Sequence, residues 1–145
     1  MNVRISRIDK TLPMPAYQTE GAVAFDLYSR TEETIEAKQT KLIPTNLIIE
    51  VPKGYALILA ARSSTPKKGL NLANGIGVID QDYHGPQDEL KLFIYNFSDQ
   101  SVTVPRGERI GQAMIIPIEQ AQWEEVDQMK DASRGFWNHR LLVYN

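Results

Sequence analysis

The segment GVIDQDYHG, residues 77–85, sets two carboxylates and a phenol between glycines directly behind a short apolar run. A strand ending there offers Asp80, Asp82 and Tyr83 to a pocket, an arrangement suited to a general base, a metal site or a solvated turn. In an extended chain Asp80 and Asp82 point the same way and Tyr83 the other. One aspartate is then a candidate catalyst and the other a candidate support.

Two neighbouring segments offer complementary chemistry. ARSST, residues 61–65, ends an apolar run with a guanidinium and three hydroxyls. Arg62 can make bidentate, charge-assisted bonds to phosphate oxygens, and Ser63 and Ser64 add neutral donors. A capped turn with solvated Lys67 and Lys68 is the competing meaning. In LANGIGVID, residues 72–80, Gly75 and Gly77 permit positive φ and close approach of a ligand to the backbone. The Asn74 amide presents both a donor and an acceptor to the edge of a base, although Asn beside Gly is more often a plain turn. GERIGQ, residues 107–112, reads by itself as a turn feeding a strand.

Several chemistries are excluded. The chain has no cysteine and only two histidines, His84 and His139, far apart, so no zinc signature is present. Neither a Walker-type loop nor a Ser-His-Asp order occurs.

Strands must position these groups. Segments 3–8, 23–29, 34–37, 47–51, 55–61, 89–96, 101–104 and 109–118 carry strand composition between turn signals, which predicts an all-β sandwich or barrel. LIIEVPKGYALILA and SVTVPRGERIGQAMII each place Pro and Gly in a tight turn between apolar runs, which predicts two hairpins. In ELKLFIYNF, Leu90, Leu92 and Ile94 share one face, while Lys91, Phe93 and Tyr95 share the other, with Phe93 and Tyr95 available to another subunit. The one helical signal is a turn or two after Arg62, where Ser63, Ser64 or Thr65 can cap and Pro66 fits the first turn.

The 145 residues suit one domain, 1–145, and 42% hydrophobic with 23% charged residues suits a soluble protein. No apolar run approaches the roughly 20 residues of a membrane span, and the N-terminus has no signal-type apolar core, so no membrane association and a cytoplasmic location are expected. A net charge of -2 provides no broad basic face for nucleic acid. Residues 119–134 are polar and weakly patterned, a surface excursion leading to a C-terminal arm.

Taken in chain order, FDLYS, ARSST, NGIGVIDQDYHG, GERIGQ and SRGF resemble the ordered motifs of the trimeric dUTP diphosphatases, the dUTPases. All but the last match closely. One such motif is weak evidence, but several in order within an all-β chain of this length are jointly specific. The resemblance implies a distorted jelly-roll β-barrel and a homotrimer whose active sites each draw residues from more than one subunit. It also implies Mg²⁺ and water attack on the α-phosphorus of dUTP, releasing dUMP and pyrophosphate, which limits uracil in DNA and supplies dUMP.

The same resemblance assigns roles. Asp80 is the base that orients and deprotonates water, and Tyr83 packs on deoxyribose so that a 2′-hydroxyl has no room. Asn74 and the backbone at Gly77 and Val78 read uracil. Arg62, Ser63, Ser64 and Gln112 bind phosphates, and Asp26 holds Mg²⁺ through coordinated water.

Three departures stand out. Ala24 and Ala61 replace the family's usual Gly and Pro. An extra PQDE run follows Gly85. The usual glycine-rich arm is replaced by RGFWNHRLLVYN; Arg134 remains available to the γ-phosphate and Phe136 or Trp137 to the base. Residues from about 130 to 145 therefore read either as a lid or as a docked strand. Two alternatives accompany dUTP hydrolysis: a dCTP deaminase of the same fold, which the DxDY pattern fits less well, and a nucleotide-binding relative without turnover.

Overall fold

The computed structural model describes residues 1–133. In chain order its strands are β1 (Ile5–Arg7), β2 (Phe25–Tyr28), β3 (Glu33–Ile35), β4 (Thr40–Pro44), β5 (Leu47–Ile49), β6 (Tyr55–Ala60), β7 (Leu70–Leu72), β8 (Gly77–Ile79), β9 (Lys91–Asn96), β10 (Val102–Val104) and β11 (Arg109–Pro117). They form a four-stranded sheet β2-β11-β6-β8, a three-stranded sheet β4-β9-β7, and the two-stranded pairs β1-β5 and β3-β10, antiparallel throughout. This is the all-β class expected from the strand pattern, in the jelly-roll form that the resemblance implies.

The core is made by alternate strand positions, since successive side chains of a strand face opposite ways. Leu27 of β2, Leu57 and Leu59 of β6, Leu92 and Ile94 of β9 and Ile43 of β4 meet almost fully buried. Each such side chain contributes about 1.5–3 kcal/mol of transfer free energy. Across β9 the alternation holds as expected: Leu92, Ile94 and Asn96 are buried, while Lys91 and Phe93 face outward.

Both expected hairpins are corrected. The turns form, with the Tyr55 amide donating to Pro52 O (3.1 Å) and the Glu108 amide to Pro105 O (3.1 Å). The strands they join go to different partners: β5 to β1 but β6 to β11 and β8, and β10 to β3 but β11 to β2 and β6. In each turn the glycine is the third residue and has positive φ, 85° at Gly54 and 84° at Gly107. That is type II geometry, which splays flanking strands where hairpin turns match their twist.

Strand β4 falls in none of the expected segments. Its burial runs exposed, exposed, exposed, buried, half-buried, so no alternation marks it. The expected helical turn is a short 3₁₀ turn, Pro66–Lys68, with Pro66 at its start as anticipated. Thr65 precedes it without capping it. Its Oγ1 instead accepts the Arg62 amide (3.0 Å), folding the residues after β6 back on themselves.

After Pro117, residues 118–133 contain neither strand nor helix, and Trp123, Val126 and Met129 lie exposed there. Arg134, Phe136 and Trp137, with the choice between lid and docked strand, fall outside the described residues.

Candidate functional site

Strand pairing gathers one set of predicted residues at the end of the four-stranded sheet. Gln112 of β11 stands opposite both Asp26 of β2 and Ala60 of β6. Arg62, two residues beyond β6, turns into this corner and donates from Nε to Asp26 Oδ1 (2.9 Å). Its Nη1 donates to Ser64 Oγ (3.3 Å) and reaches Arg109 O (3.5 Å). The Gln112 amide donates to Ala61 O (2.9 Å), tying the bend to β11. Ser63 is exposed and Ser64 half-buried. The Arg62 guanidinium, the Ser64 hydroxyl and the Gln112 side-chain amide thus converge on one rim, the donor set for an oxyanion-rich ligand.

Arg109 also belongs to this corner, although GERIGQ by itself reads as a turn feeding a strand. Its guanidinium lies 3.5 Å from Asp26 Oδ2 and 5.9 Å from the centre of the Tyr28 ring. A register shift between Arg109 and Gly111 sets this orientation, and such bulges re-aim a side chain in a way strand alternation does not reveal. Two guanidiniums share one carboxylate, leaving the corner net positive.

Strand β8 occupies the sheet's edge, with β6 on one side only. Half of its backbone groups therefore have no strand partner and are free to read a ligand edge. Val78 within it and Asn74 before it are exposed. The two glycines here serve different ends. Gly75 has φ 77°, the left-handed conformation anticipated. Gly77 does not: a Cβ there would lie 3.0 Å from Leu59 Cβ, so its smallness is required by packing on β6, not by positive φ.

Asp80 follows β8 directly. Asp80 and Asp82 both line an open hollow of about 440 Å³ with Tyr55, Ala56, Ile79 and Ile118. The segment is a turn, with the Tyr83 amide donating to Asp80 O (3.4 Å), and not the extended chain on which a common direction of the two carboxylates was expected. Tyr83 points elsewhere, its hydroxyl donating to Glu89 O (3.3 Å).

The run after Gly85 is a closed turn. The Asp88 amide donates to Gly85 O (3.0 Å), and Asp88 Oδ2 accepts the Gly85 amide (2.8 Å). Glu89, only 6% exposed, ends it in a fork with Arg30 (2.8 and 3.1 Å) and accepts the Asn46 amide (2.8 Å). The hydrogen bonds that Arg30 donates to the Glu89 carboxylate raise its pKa above the ordinary value.

The two halves of the predicted site are not adjacent within one chain. Pairing of Leu57 with Ile79 puts Asp80 at the Tyr55–Ala56 end of β6, whereas Arg62 lies past Ala60. From Ala56 to Ala60 alone is about 13 Å of strand.

Among the described residues no three His, Asp or Glu side chains cluster to hold a metal. Asp26 is a lone carboxylate beside two guanidiniums. That donor set suits Mg²⁺ that keeps its waters and arrives with substrate phosphates, the usual Mg²⁺ mode. It does not suit a resident all-protein cage.

Residues 10–139 match the family model described as dUTPase. The chain is 38% identical over 140 residues to a deoxyuridine 5′-triphosphate nucleotidohydrolase of Dictyoglomus turgidum, covering 93% of each protein. A nucleotidohydrolase of the same description from Legionella pneumophila is 40% identical over 134 residues, covering 90% of this chain and 86% of that protein. The crystal structure of dUTPase from Streptococcus mutans superposes with a TM-score of 0.75 at 31% identity, covering 82% of this chain and 98% of the other.

Proposed function

The chain belongs to the dUTPase family, and from that premise we propose that it hydrolyses dUTP to dUMP and pyrophosphate, limiting uracil in DNA and supplying dUMP. The observation that carries this proposal is the corner of Arg62, Gln112, Ser64 and Asp26, a cationic, donor-rich rim suited to a triphosphate. Phosphoryl transfer needs chiefly in-line positioning and neutralisation of charge, and such a rim supplies the second.

In this proposal Arg62, Ser63, Ser64 and Gln112 hold the phosphate chain, while Asn74 and the free edge of β8 at Gly77 and Val78 read uracil. The Tyr83 ring lies against deoxyribose and leaves no room for a 2′-hydroxyl. Asp80 accepts a proton from the attacking water, the water oxygen bonds to the α-phosphorus, and the bond to the bridging oxygen breaks so that pyrophosphate leaves. Asp26 would hold Mg²⁺ through coordinated water, and the ion would supply charge neutralisation to the phosphates. Arg134 and Phe136 are assigned to the γ-phosphate and the base on sequence alone.

A homotrimer belongs to the same proposal. Its support is the separation along β6 of Asp80 from Arg62, which one subunit by itself cannot bridge for a single nucleotide. In a neighbouring dUTPase, that of Staphylococcus bacteriophage 80alpha, the solved structure contains dUpNHpp; at 23% identity and a TM-score of 0.82 it shares the fold with this chain. We also assign the enzyme to the cytoplasm, since its substrate is a soluble nucleotide.

The test is incubation with dUTP and Mg²⁺, followed by assay of pyrophosphate and dUMP. Equimolar release of both is expected, and no pyrophosphate would sink the proposal. Ammonia release from dCTP would instead favour a deaminase of the same fold.

A further inference from the structure

We propose that Arg30 and Glu89 are positioning residues for sugar discrimination: their bidentate ion pair holds the backbone carbonyl that anchors the Tyr83 hydroxyl. This rests on the dUTPase assignment and on Tyr83 as the sugar gate.

A ring can exclude one oxygen atom only if it resists being pushed aside. Tyr83 sits in a turn and is 39% exposed, and the strand before it ends at Ile79. Such a site has little packing of its own to stop the ring from swinging. Its hydroxyl bond to Glu89 O (3.3 Å) is the polar tether that the structure provides.

That tether is stiff because Glu89 is stiff. Its carboxylate takes both arms of the Arg30 guanidinium and the Asn46 amide, and its side chain is 8% exposed. Asn46 is itself fixed, buried at φ 78°, with Oδ1 accepting the Asp9 amide (2.6 Å) and Nδ2 donating to Asp9 O (2.9 Å). One residue further on, Leu90 is fully buried and its carbonyl accepts from both the Thr45 amide (3.0 Å) and Thr45 Oγ1 (2.6 Å). The phenol is thereby connected to the core through Glu89.

The run Pro86–Asp88 does not loosen this connection. Its turn closes through Asp88 and Gly85, and a Cβ on Gly85 would lie 3.0 Å from Asp88 Oδ2, so the closure is tight. Tyr83 and Glu89 are brought together across the excursion, and its length is absorbed in the closed turn.

The experiment compares kcat/KM for dUTP and for UTP in the wild type, Tyr83→Phe, Arg30→Met and the double variant, each with its melting temperature. Tyr83→Phe keeps the ring and removes only the tether. Its dUTP/UTP ratio is expected to fall about fivefold, the equivalent of about 1 kcal/mol at 1.4 kcal/mol per factor of ten. Arg30→Met is expected to lower the ratio similarly, and the double variant no further, because both changes act through one contact.

An unchanged ratio in Tyr83→Phe overturns the proposal, even if Arg30→Met fails to fold. So does an Arg30→Met protein that melts lower with its ratio intact, or a double variant whose effects multiply. A wild type that hydrolyses dUTP while the variants keep their ratio defeats only this inference. A wild type without dUTP turnover defeats the assignment beneath it as well.

Discussion

Replacing Asp26 by Asn separates two roles that converge on one carboxylate. In the structure Asp26 accepts Arg62 Nε at 2.9 Å and faces Arg109 at 3.5 Å, with its own side chain 14% exposed and that of Arg62 28%. The pair lies between an exposed ion pair, worth about 0–1 kcal/mol, and a fully buried one, whose breakage costs about 3–5 kcal/mol. A loss of about 1–2 kcal/mol follows once the partial exposure of Arg62 is discounted. With 145 residues and about 2.1 cal/mol/K per residue, the unfolding entropy is about 0.3 kcal/mol/K, so the melting temperature should drop by about 3–7 °C. The measurement is thermal unfolding in EDTA, at one protomer concentration so that assembly does not confound it. A non-hydrolysable dUTP analogue titrated without Mg²⁺ should bind about tenfold more weakly, because Arg62 has lost the group that aims it. An unchanged melting temperature in EDTA, with weakened binding only when Mg²⁺ is added, would refute this reasoning and leave Asp26 a metal contact alone.

Other expectations are as direct. Asp80→Asn should leave analogue binding largely intact and lower the single-turnover rate by orders of magnitude; an undiminished rate would remove Asp80 as the base. Co-assembled subunits carrying Asp80→Asn and Arg62→Ala, each inactive alone, should regain part of the pyrophosphate release, because some mixed sites would draw an intact half from each chain. No recovery in demonstrably mixed trimers would mean that sites are not shared. Gly111→Ala should destabilise by about 1–3 kcal/mol in chemical unfolding, since its Cβ would sit 2.7 Å from Leu92 Cδ1 and 3.2 Å from Ala60 O. Asp9, hydrogen-bonded by Arg106 and Thr11, has its pKa held well below the usual carboxylate range. A depressed folded pKa means that the unfolded chain binds more protons, so this stabilisation is present above the ordinary aspartate pKa and fades as acid titrates the folded group. Asp9→Asn should therefore melt below the wild type at pH 7, with the gap narrowing toward pH 2; a constant gap would contradict it.

Much of this was legible in the residues. Apolar alternation marked β9, and Pro-x-Gly marked the turns at residues 52–55 and 105–108. Residue type singled out Arg62 and Asp80 as candidates, whereas the roles proposed for Tyr83 and Gln112 rest on the resemblance of the ordered motifs. Less legible were features set by neighbours distant in the chain. Strand β4 buries only Ile43 among its residues and leaves no periodic trace. Arg109 reaches Asp26 through a bulge that sequence alternation does not encode. Glu89 carries no local sign that it will pair with Arg30, because an ion pair across 59 positions exists only once the segments carrying both residues are docked.

What the sequence by itself determined was the set of chemical parts, their order and the all-β class, because side-chain chemistry, turn geometry and a period of two are local properties. Only the tertiary structure decided which strands those turns connect, and that Asp26, Arg62, Arg109 and Gln112 share one corner while Asp80 stands at the far end of β6. Sheet order and register carry that information: they arise when distant segments bury their apolar faces against one another.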